Sequence, residues 1–160
     1  MPRLAVDAAG KVHLVYAESQ AGPFARYGIR FTCSTDGARS FAPPLDISGR
    51  LPDGFGSAAF AALALDAKGR VVVLWELFEE AGRMPRGLGI AVSSNGGRSF
   101  SLPRVVPGSV DAAGGFNGSS QGLLMNKLAV GRDGAVAVVN SSLLPGAHSR
   151  VWLMRGRLVP

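Results

Sequence analysis

Acidic and basic side chains stand near the ends of several predicted β-strands, where they could exchange protons with a ligand or bind its charged groups. Glu18 and Glu76 lie at or beside strand ends, and Glu79 and Glu80 follow soon after. Paired carboxylates are what glycoside hydrolysis requires. Arg30 could clamp a ligand carboxylate, because a planar guanidinium pairs with it bidentately. Solvated loop charge is the alternative for the glutamates, and an exposed strand arginine is the alternative for Arg30.

The other candidate ligand-binding side chains lie in loops. Arg86 directly precedes a predicted strand, and the Gly-rich stretch 114–121 carries Phe116, Asn117 and Gln121. An aromatic ring can stack on a sugar while side-chain amides bond to its hydroxyl groups. A flexible linker between structural units is the alternative interpretation of this stretch.

Histidines and cysteines form no recognisable metal or catalytic motif. Cys33 is the only cysteine, which excludes an internal disulfide and a zinc site built on several thiolates. His13 and His148 have no paired ligand spacing and are expected to be ordinary surface or strand residues. The sequence contains no Ser-His-Asp arrangement, phosphate-binding loop or dinucleotide fingerprint. We therefore expect no metal and no cofactor, and we assign no catalytic residue.

An internal repeat organises the chain that must position these side chains. The segment Ser34–Phe41 is written again, 59 residues later, as Ser93–Phe100. The same offset superposes pairs of apolar and turn-forming residues: Leu4 on Leu63, Asp7 on Asp66, Gly10 on Gly69, Gly28 on Gly87 and Pro44 on Pro103. Coincidences of this kind at one offset indicate a duplicated structural unit.

Each unit begins with a predicted β-hairpin. The apolar run 4–6 and the alternating segment 11–16 flank the turn 7–10, in which Asp opens the turn and Gly supplies a left-handed conformation. The same device recurs at residues 66–69 and 131–134. Three copies of the first hairpin are therefore predicted.

Two further strands complete each unit. In the first copy they are predicted at residues 27–33 and 41–47, and in the second at 88–92 and 100–106. Prolines in the fourth strands favour the sheet edge, because proline cannot donate to a ladder. The third copy has a third strand at 151–154 and at best a stub of a fourth.

Four-stranded meanders of about 60 residues, repeated along a chain, are typical of β-propeller blades. We predict an all-β fold with blade 1 at about 2–48, blade 2 at about 61–107 and a partial blade 3 at about 124–160, in one propeller segment spanning 1–160. Monomeric propellers need four to eight blades. We therefore expect further repeats or a homo-oligomer to complete the ring.

The repeated segments resemble the Asp box, Ser-x-Asp-x-Gly-x-Thr-Trp, of the sialidase superfamily (the bacterial neuraminidase repeat). Asn95 replaces Asp in the second copy, Ala38 replaces Gly in the first, and Ser and Phe replace Thr and Trp in both. The resemblance implies that these residues have a structural role in a turn. They are Ser34, Asp36, Gly37, Ser40 and Phe41 in the first copy, and Ser93, Asn95, Gly97, Ser99 and Phe100 in the second.

Strand parity separates these boxes from the longer loops. In a meander, the links between strands one and two and between strands three and four share one end, so the remaining loops share the other. Longer, glycine-rich loops of this kind tend to carry function. They span residues 18–26, 48–61, 77–86, 107–124 and 143–149.

The family resemblance implies a sialidase site with an arginine cluster, an acidic acid/base and a tyrosine activated by a glutamate. This sequence lacks the family's Arg-Ile-Pro motif, and Tyr16 and Tyr27 are its only tyrosines. We therefore predict a non-catalytic module or propeller fragment that binds glycan or protein. The alternative is an exo-sialidase-type glycoside hydrolase whose catalytic residues are incomplete here.

Charge and hydropathy limit the classes of partner that the chain is expected to bind. The net charge is +6, but the arginines are scattered without a basic run or an aromatic-basic cluster, so nucleic-acid binding is not expected. The longest apolar run, 58–65, is far shorter than the roughly 20 residues of a membrane-spanning helix. No signal peptide is expected in residues 1–7, and secretion or cell-surface display would need a longer N-terminus.

Overall fold

The computed structural model describes residues 2–23, 25–81, 83–110, 127–142 and 150–159. These residues form β-strands and no helix, so none of them belongs to a membrane-spanning helix. The all-β fold class is confirmed. The strands are β1 Arg3–Val6, β2 Val12–Glu18, β3 Gly28–Ser34, β4 Leu45–Asp46, β5 Ser57–Leu65, β6 Val71–Phe78, β7 Gly87–Ser93, β8 Arg104–Val105, β9 Leu128–Val130, β10 Ala135–Ser142 and β11 Arg150–Arg157.

The strands form three antiparallel meanders. Sheet 1 has the order β1-β2-β3-β4, sheet 2 the order β5-β6-β7-β8 and sheet 3 the order β9-β10-β11. The three predicted hairpins open the three sheets. In the first, Asp7 Oδ1 accepts the amides of Ala9 and Lys11 at 3.0 and 2.9 Å, and Gly10 takes φ 80°. Asp66 and Gly69 repeat this geometry in sheet 2.

The fourth strands are much shorter than predicted. The expected strands 41–47 and 100–106 reduce to the two-residue strands β4 and β8, both at sheet edges. Prolines 43, 44 and 103 have no N–H, so they cannot continue a ladder. Ala42 and Ser101 each donate a single backbone bond to the neighbouring strand, at 2.9 Å.

Other boundaries also differ from the prediction. The strand expected at 151–154 extends to Arg150–Arg157, so Arg157 belongs to β11 and no fourth strand follows it in the described part of sheet 3. Strand β5 carries a bulge between Ala59 and Ala62, where Phe60 takes φ 53°.

Two apolar cores lie between successive sheets. Side chains of sheet 1 such as Ile29 and Phe31 pack against Val73 and Leu77 of sheet 2. Sheet 2 also packs on its other side, where Leu74 belongs to a cluster shared with sheet 3. Sheet 2 is therefore covered on both faces, which is why all of β6 is buried and its sequence is a nearly unbroken apolar run.

The outer faces of the end sheets carry exposed apolar side chains. Leu4 and Val6 of sheet 1 are 65% and 63% exposed, and Val151 of sheet 3 is 70% exposed. The three sheets do not close a ring in the described part of the chain. Completion of a ring by further repeats or another copy stays a prediction.

Candidate functional site

The meanders give the molecule two different ends. The hairpin turns and the repeated loops 34–41 and 93–100 share one end, here called the turn end. The β2–β3 and β6–β7 connections share the other, here called the loop end. Both clefts considered below are built from residues at the loop end.

The repeated loops are self-contained hydrogen-bonded turns. The Ser40 hydroxyl and amide donate to the Asp36 carboxylate at 2.6 and 2.9 Å, and the Ser34 hydroxyl donates at 2.7 Å. These bonds hold the pKa of Asp36 far below its usual range, and the bond from the Ser40 hydroxyl contributes most. In the second copy Asn95 Oδ1 accepts from the Ser93 hydroxyl and the Ser99 amide at 2.9 and 3.0 Å, while its Nδ2 donates to the Ser99 hydroxyl at 2.8 Å. A carboxylate engaged in this way is a poor proton donor at neutral pH.

The first cleft, here called the Arg30 cleft, has a volume of about 390 Å³ at the loop end of sheet 1. Neighbouring strands supply its charges, because Tyr16, Arg30 and Asp46 lie opposite one another across β2, β3 and β4. The lining residues are Glu18, Gln20, Ala21, Arg26, Gly28, Arg30, Asp46, Ser48 and Gly49.

Arg30 lies between two carboxylates in this cleft. Its Nε donates to Glu18 Oε2 at 2.8 Å, and its Nη1 lies 3.5 Å from Asp46 Oδ2. The Glu18 and Asp46 side chains are 43% and 39% exposed, so both keep solvent-facing oxygens. The Ser48 amide donates to Asp46 at 3.0 Å, which helps to fix the carboxylate. Arg26 is exposed and forms no ion pair with the described residues.

The repeat shows that the scaffold does not require an arginine at position 30. Gly89 takes its place in sheet 2, where a Cβ would lie only 2.7 Å from Cε2 of Trp75. The aromatic ring of Trp75 therefore covers the strand at that point. Sheet 1 has Tyr16 and Arg30 at the matching cross-strand pair, and the guanidinium reaches along the sheet instead.

The second cleft, here called the Arg86 cleft, has a volume of about 420 Å³ and lies in the β6–β7 connection. Arg86 Nε is 3.9 Å from Glu79 Oε1, which is too long for a hydrogen bond. This nitrogen is buried and has no hydrogen-bond partner among the described residues. Arg83 and Glu80 form a more exposed pair at 3.5 Å, and Met84 completes the lining.

Glu76 belongs to neither cleft. It is 1% exposed and forms an ion pair of 2.5 Å with Lys127 Nζ, between sheets 2 and 3. Lys127 also donates to Asn140 Oδ1 at 3.1 Å, and Asn140 donates to the Ser109 carbonyl at 3.1 Å. Burial lowers the pKa of Lys127, and the attraction of Glu76 only partly offsets it.

Sequence reasoning missed Lys127 and Asp46. Glu76 is the one charged residue in the apolar strand Val71–Phe78, and a buried carboxylate requires a partner. That pattern signals a buried cation without saying which one. Asp46 becomes a candidate only once the register opposite Arg30 is known.

The remaining predicted residues fall outside these sites. Phe116, Asn117 and Gln121 lie outside the described residues, as does His148. His13 lies in a strand but is completely buried, and its Nε2 is 3.1 Å from Asp7 Oδ2. Burial raises the pKa of Asp7, but its bonds with His13 and two backbone amides lower it by more.

Carbohydrate-active proteins share this all-β fold. The structure of a Hadza microbial sialidase superposes on this chain with a TM-score of 0.66 and 17% sequence identity. The superposition covers 97% of this chain and 34% of the sialidase chain. The structure of a polysaccharide lyase, an ulvan lyase bound to -[GlcA(1-4)Rha3S]-, superposes with a TM-score of 0.60 and 10% sequence identity. This superposition covers 97% of this chain and 40% of the lyase chain. A second ulvan lyase structure gives the same coverages and TM-score at 9% identity.

These identities show a shared fold alone, and the chain spans 34% to 40% of the length of these proteins. No protein-family model matches the sequence, and no curated protein matches it.

Proposed function

We propose that this chain is a sialidase-like β-propeller segment that binds a glycan through the Arg30 cleft. The observation that carries the proposal is the guanidinium of Arg30 between the carboxylates of Glu18 and Asp46, in an open cleft at the loop end. The fold shared with a sialidase and ulvan lyases supports it. The matching turns at 34–41 and 93–100 support their interpretation as Asp boxes, and the stacked sheets support their interpretation as blades.

The cleft offers complementary groups to an acidic sugar. Arg26 is a cation with no described ion-pair partner, so it can bind a ligand carboxylate without first breaking a salt bridge. The exposed oxygens of Glu18 and Asp46 can accept bonds from sugar hydroxyls. Arg30 holds those two carboxylates in place and presents its remaining N–H groups to the ligand.

Isothermal titration with an acidic monosaccharide, galacturonic acid or sialic acid, tests this proposal. Charge-assisted hydrogen bonds contribute about 1.5–3 kcal/mol, so Arg26→Ala should weaken binding about tenfold to a hundredfold. Arg30→Ala should weaken it as well. Arg98→Ala is the matched control, because it removes the same charge from an exposed residue of the turn end. Equal losses in all three variants would indicate nonspecific charge attraction and contradict the proposal.

Glycoside hydrolysis is a second candidate function. Glu18 and Asp46 place two carboxylates in one cleft, which is the pairing that glycosidases use. A fluorogenic sialoside assay at high protein concentration decides between binding and catalysis. Turnover that Glu18→Gln abolishes would favour the hydrolase, and absence of turnover with retained binding would remove it.

A further inference from the structure

The Arg30 and Arg86 clefts occupy corresponding places in two adjacent sheets. The first is built around the connection from β2 to β3 and the second around the connection from β6 to β7. Gly28 and Gly87, which start β3 and β7, are related by the repeat. Stacked sheets lie about 10 Å apart. Both clefts therefore lie at the loop end, on neighbouring sheets.

The Arg86 cleft has an incompletely satisfied guanidinium. Arg86 Nε is buried without a hydrogen-bond partner among the described residues, and Glu79 is too distant to accept from it. A buried donor without an acceptor is unfavourable, so the Arg86 side chain, which is 29% exposed, gains by turning its guanidinium toward an anionic oxygen in the cleft. Exposed Arg83, which pairs with Glu80 at 3.5 Å, adds a second cation to the same lining. The chemistry suits a carboxylate or a sulfate group.

We infer that the Arg86 cleft is a second subsite for the ligand of the Arg30 cleft, so that the ligand is an extended acidic oligosaccharide lying across the loop ends of sheets 1 and 2. This inference rests on the proposed function. Each cleft is open and offers few groups, so binding at one alone is weak. A chain that occupies both gains affinity, because the second contact becomes intramolecular.

The test compares galacturonic acid with its hexamer by isothermal titration. The hexamer should bind at least about tenfold more tightly than the monosaccharide. Arg86→Ala should remove most of that advantage, so that the hexamer binds little more tightly than the monosaccharide. Arg30→Ala should weaken both ligands, and Arg98→Ala should weaken neither. Thermal melting of each variant checks that it is folded.

The outcomes separate the two proposals. Equal affinities for both ligands, or a hexamer advantage that survives Arg86→Ala, would overturn the second subsite, while sensitivity to Arg30→Ala would leave the proposed function standing. If neither the monosaccharide nor the hexamer binds, both the proposed function and the second subsite are overturned. Equal weakening by Arg86→Ala and Arg98→Ala would indicate attraction to net charge and would also overturn the second subsite.

Discussion

Gly97 is the position at which a single added carbon should be most revealing. Its φ is 87°, and a Cβ there would lie 2.5 Å from Cε1 and Cζ of Phe31 in sheet 1. Phe31 cannot easily yield, because it is completely buried and its ring packs edge-on against Phe100 with centroids 4.8 Å apart. The second repeated loop is therefore pressed against the preceding sheet. Ala38 occupies the matching place in the first loop at φ 66°.

The expected magnitudes follow from these two geometries. A left-handed conformation costs a non-glycine residue about 1–2 kcal/mol, and overpacking adds about 1–3 kcal/mol. Gly97→Ala should thus lower the free energy of unfolding by about 2–5 kcal/mol. Ala38→Gly relieves strain but makes the unfolded chain more flexible, which costs about 0.5–1 kcal/mol. Its net effect should be between neutrality and a gain of about 1.5 kcal/mol.

Urea denaturation measures both changes, and Gly37→Ala is the matched control. Gly37 has φ 73°, and a Cβ added to it would meet no atom within 4 Å, so its substitution reports strain without collision. The loss at Gly97 should exceed the loss at Gly37 by the overpacking contribution. Equal losses at the two glycines, or a neutral Gly97→Ala, would refute the docking of this loop on Phe31.

Two further predictions concern buried charges. Lys127→Met should destabilise the fold by about 3–5 kcal/mol because it leaves Glu76 buried without its cation, and the double variant with Glu76→Leu should regain most of this in urea denaturation. Burial raises the pKa of Asp66, but bonds from the Arg70 side chain and two amides lower it by more. The stability from Asp66 is thus present above its unfolded pKa, near 3.8, and is lost as pH falls through the lower folded value. Asp66→Asn should therefore reduce the loss of unfolding free energy as pH falls. An unchanged dependence of that free energy on pH would contradict the role of this carboxylate.

Local patterns predicted the hairpins well because their causes are local. An Asp that bonds to its own turn and a Gly with positive φ are enough to specify the turns at Asp7–Gly10 and Asp66–Gly69. The lengths of the fourth strands were overestimated because the hydrophobic pattern continues through Pro43 and Pro103. The hydrogen-bonded ladder cannot continue there, since proline has no N–H to donate.

The repeat register was also incomplete. Ser48 directly follows Ile47 and accepts the Ile29 amide at 2.6 Å. The residue with the same role in sheet 2 is Ser109, which accepts the Leu88 amide at 3.0 Å. Its offset is two residues longer than the repeat, because a turn at 107–108 intervenes. Aligning the two copies at a constant offset of 59 residues therefore cannot show that Ser48 and Ser109 have the same role.

The candidate site depended most on long-range placement. Glu18 and Arg30 were candidates from their strand ends, but their contact requires the β2–β3 register, and that of Asp46 requires the β3–β4 register. Glu76 looked similar in sequence, yet sheet 3 covers it and supplies Lys127 from 51 residues away. Whether a strand-end charge faces solvent or a neighbouring sheet is decided by packing between sheets.

Chemical-shift mapping with an acidic oligosaccharide tests the central claim most directly. Backbone amides of the ¹⁵N-labelled chain would be followed during titration with the galacturonate hexamer. Binding at the loop end should shift the amides of Gly28, Ser48 and Gly49, which line the Arg30 cleft, and leave those of the turn-end loops 34–41 and 93–100 unchanged. Shifts centred on the turn-end loops, or no shifts at millimolar ligand, would contradict it.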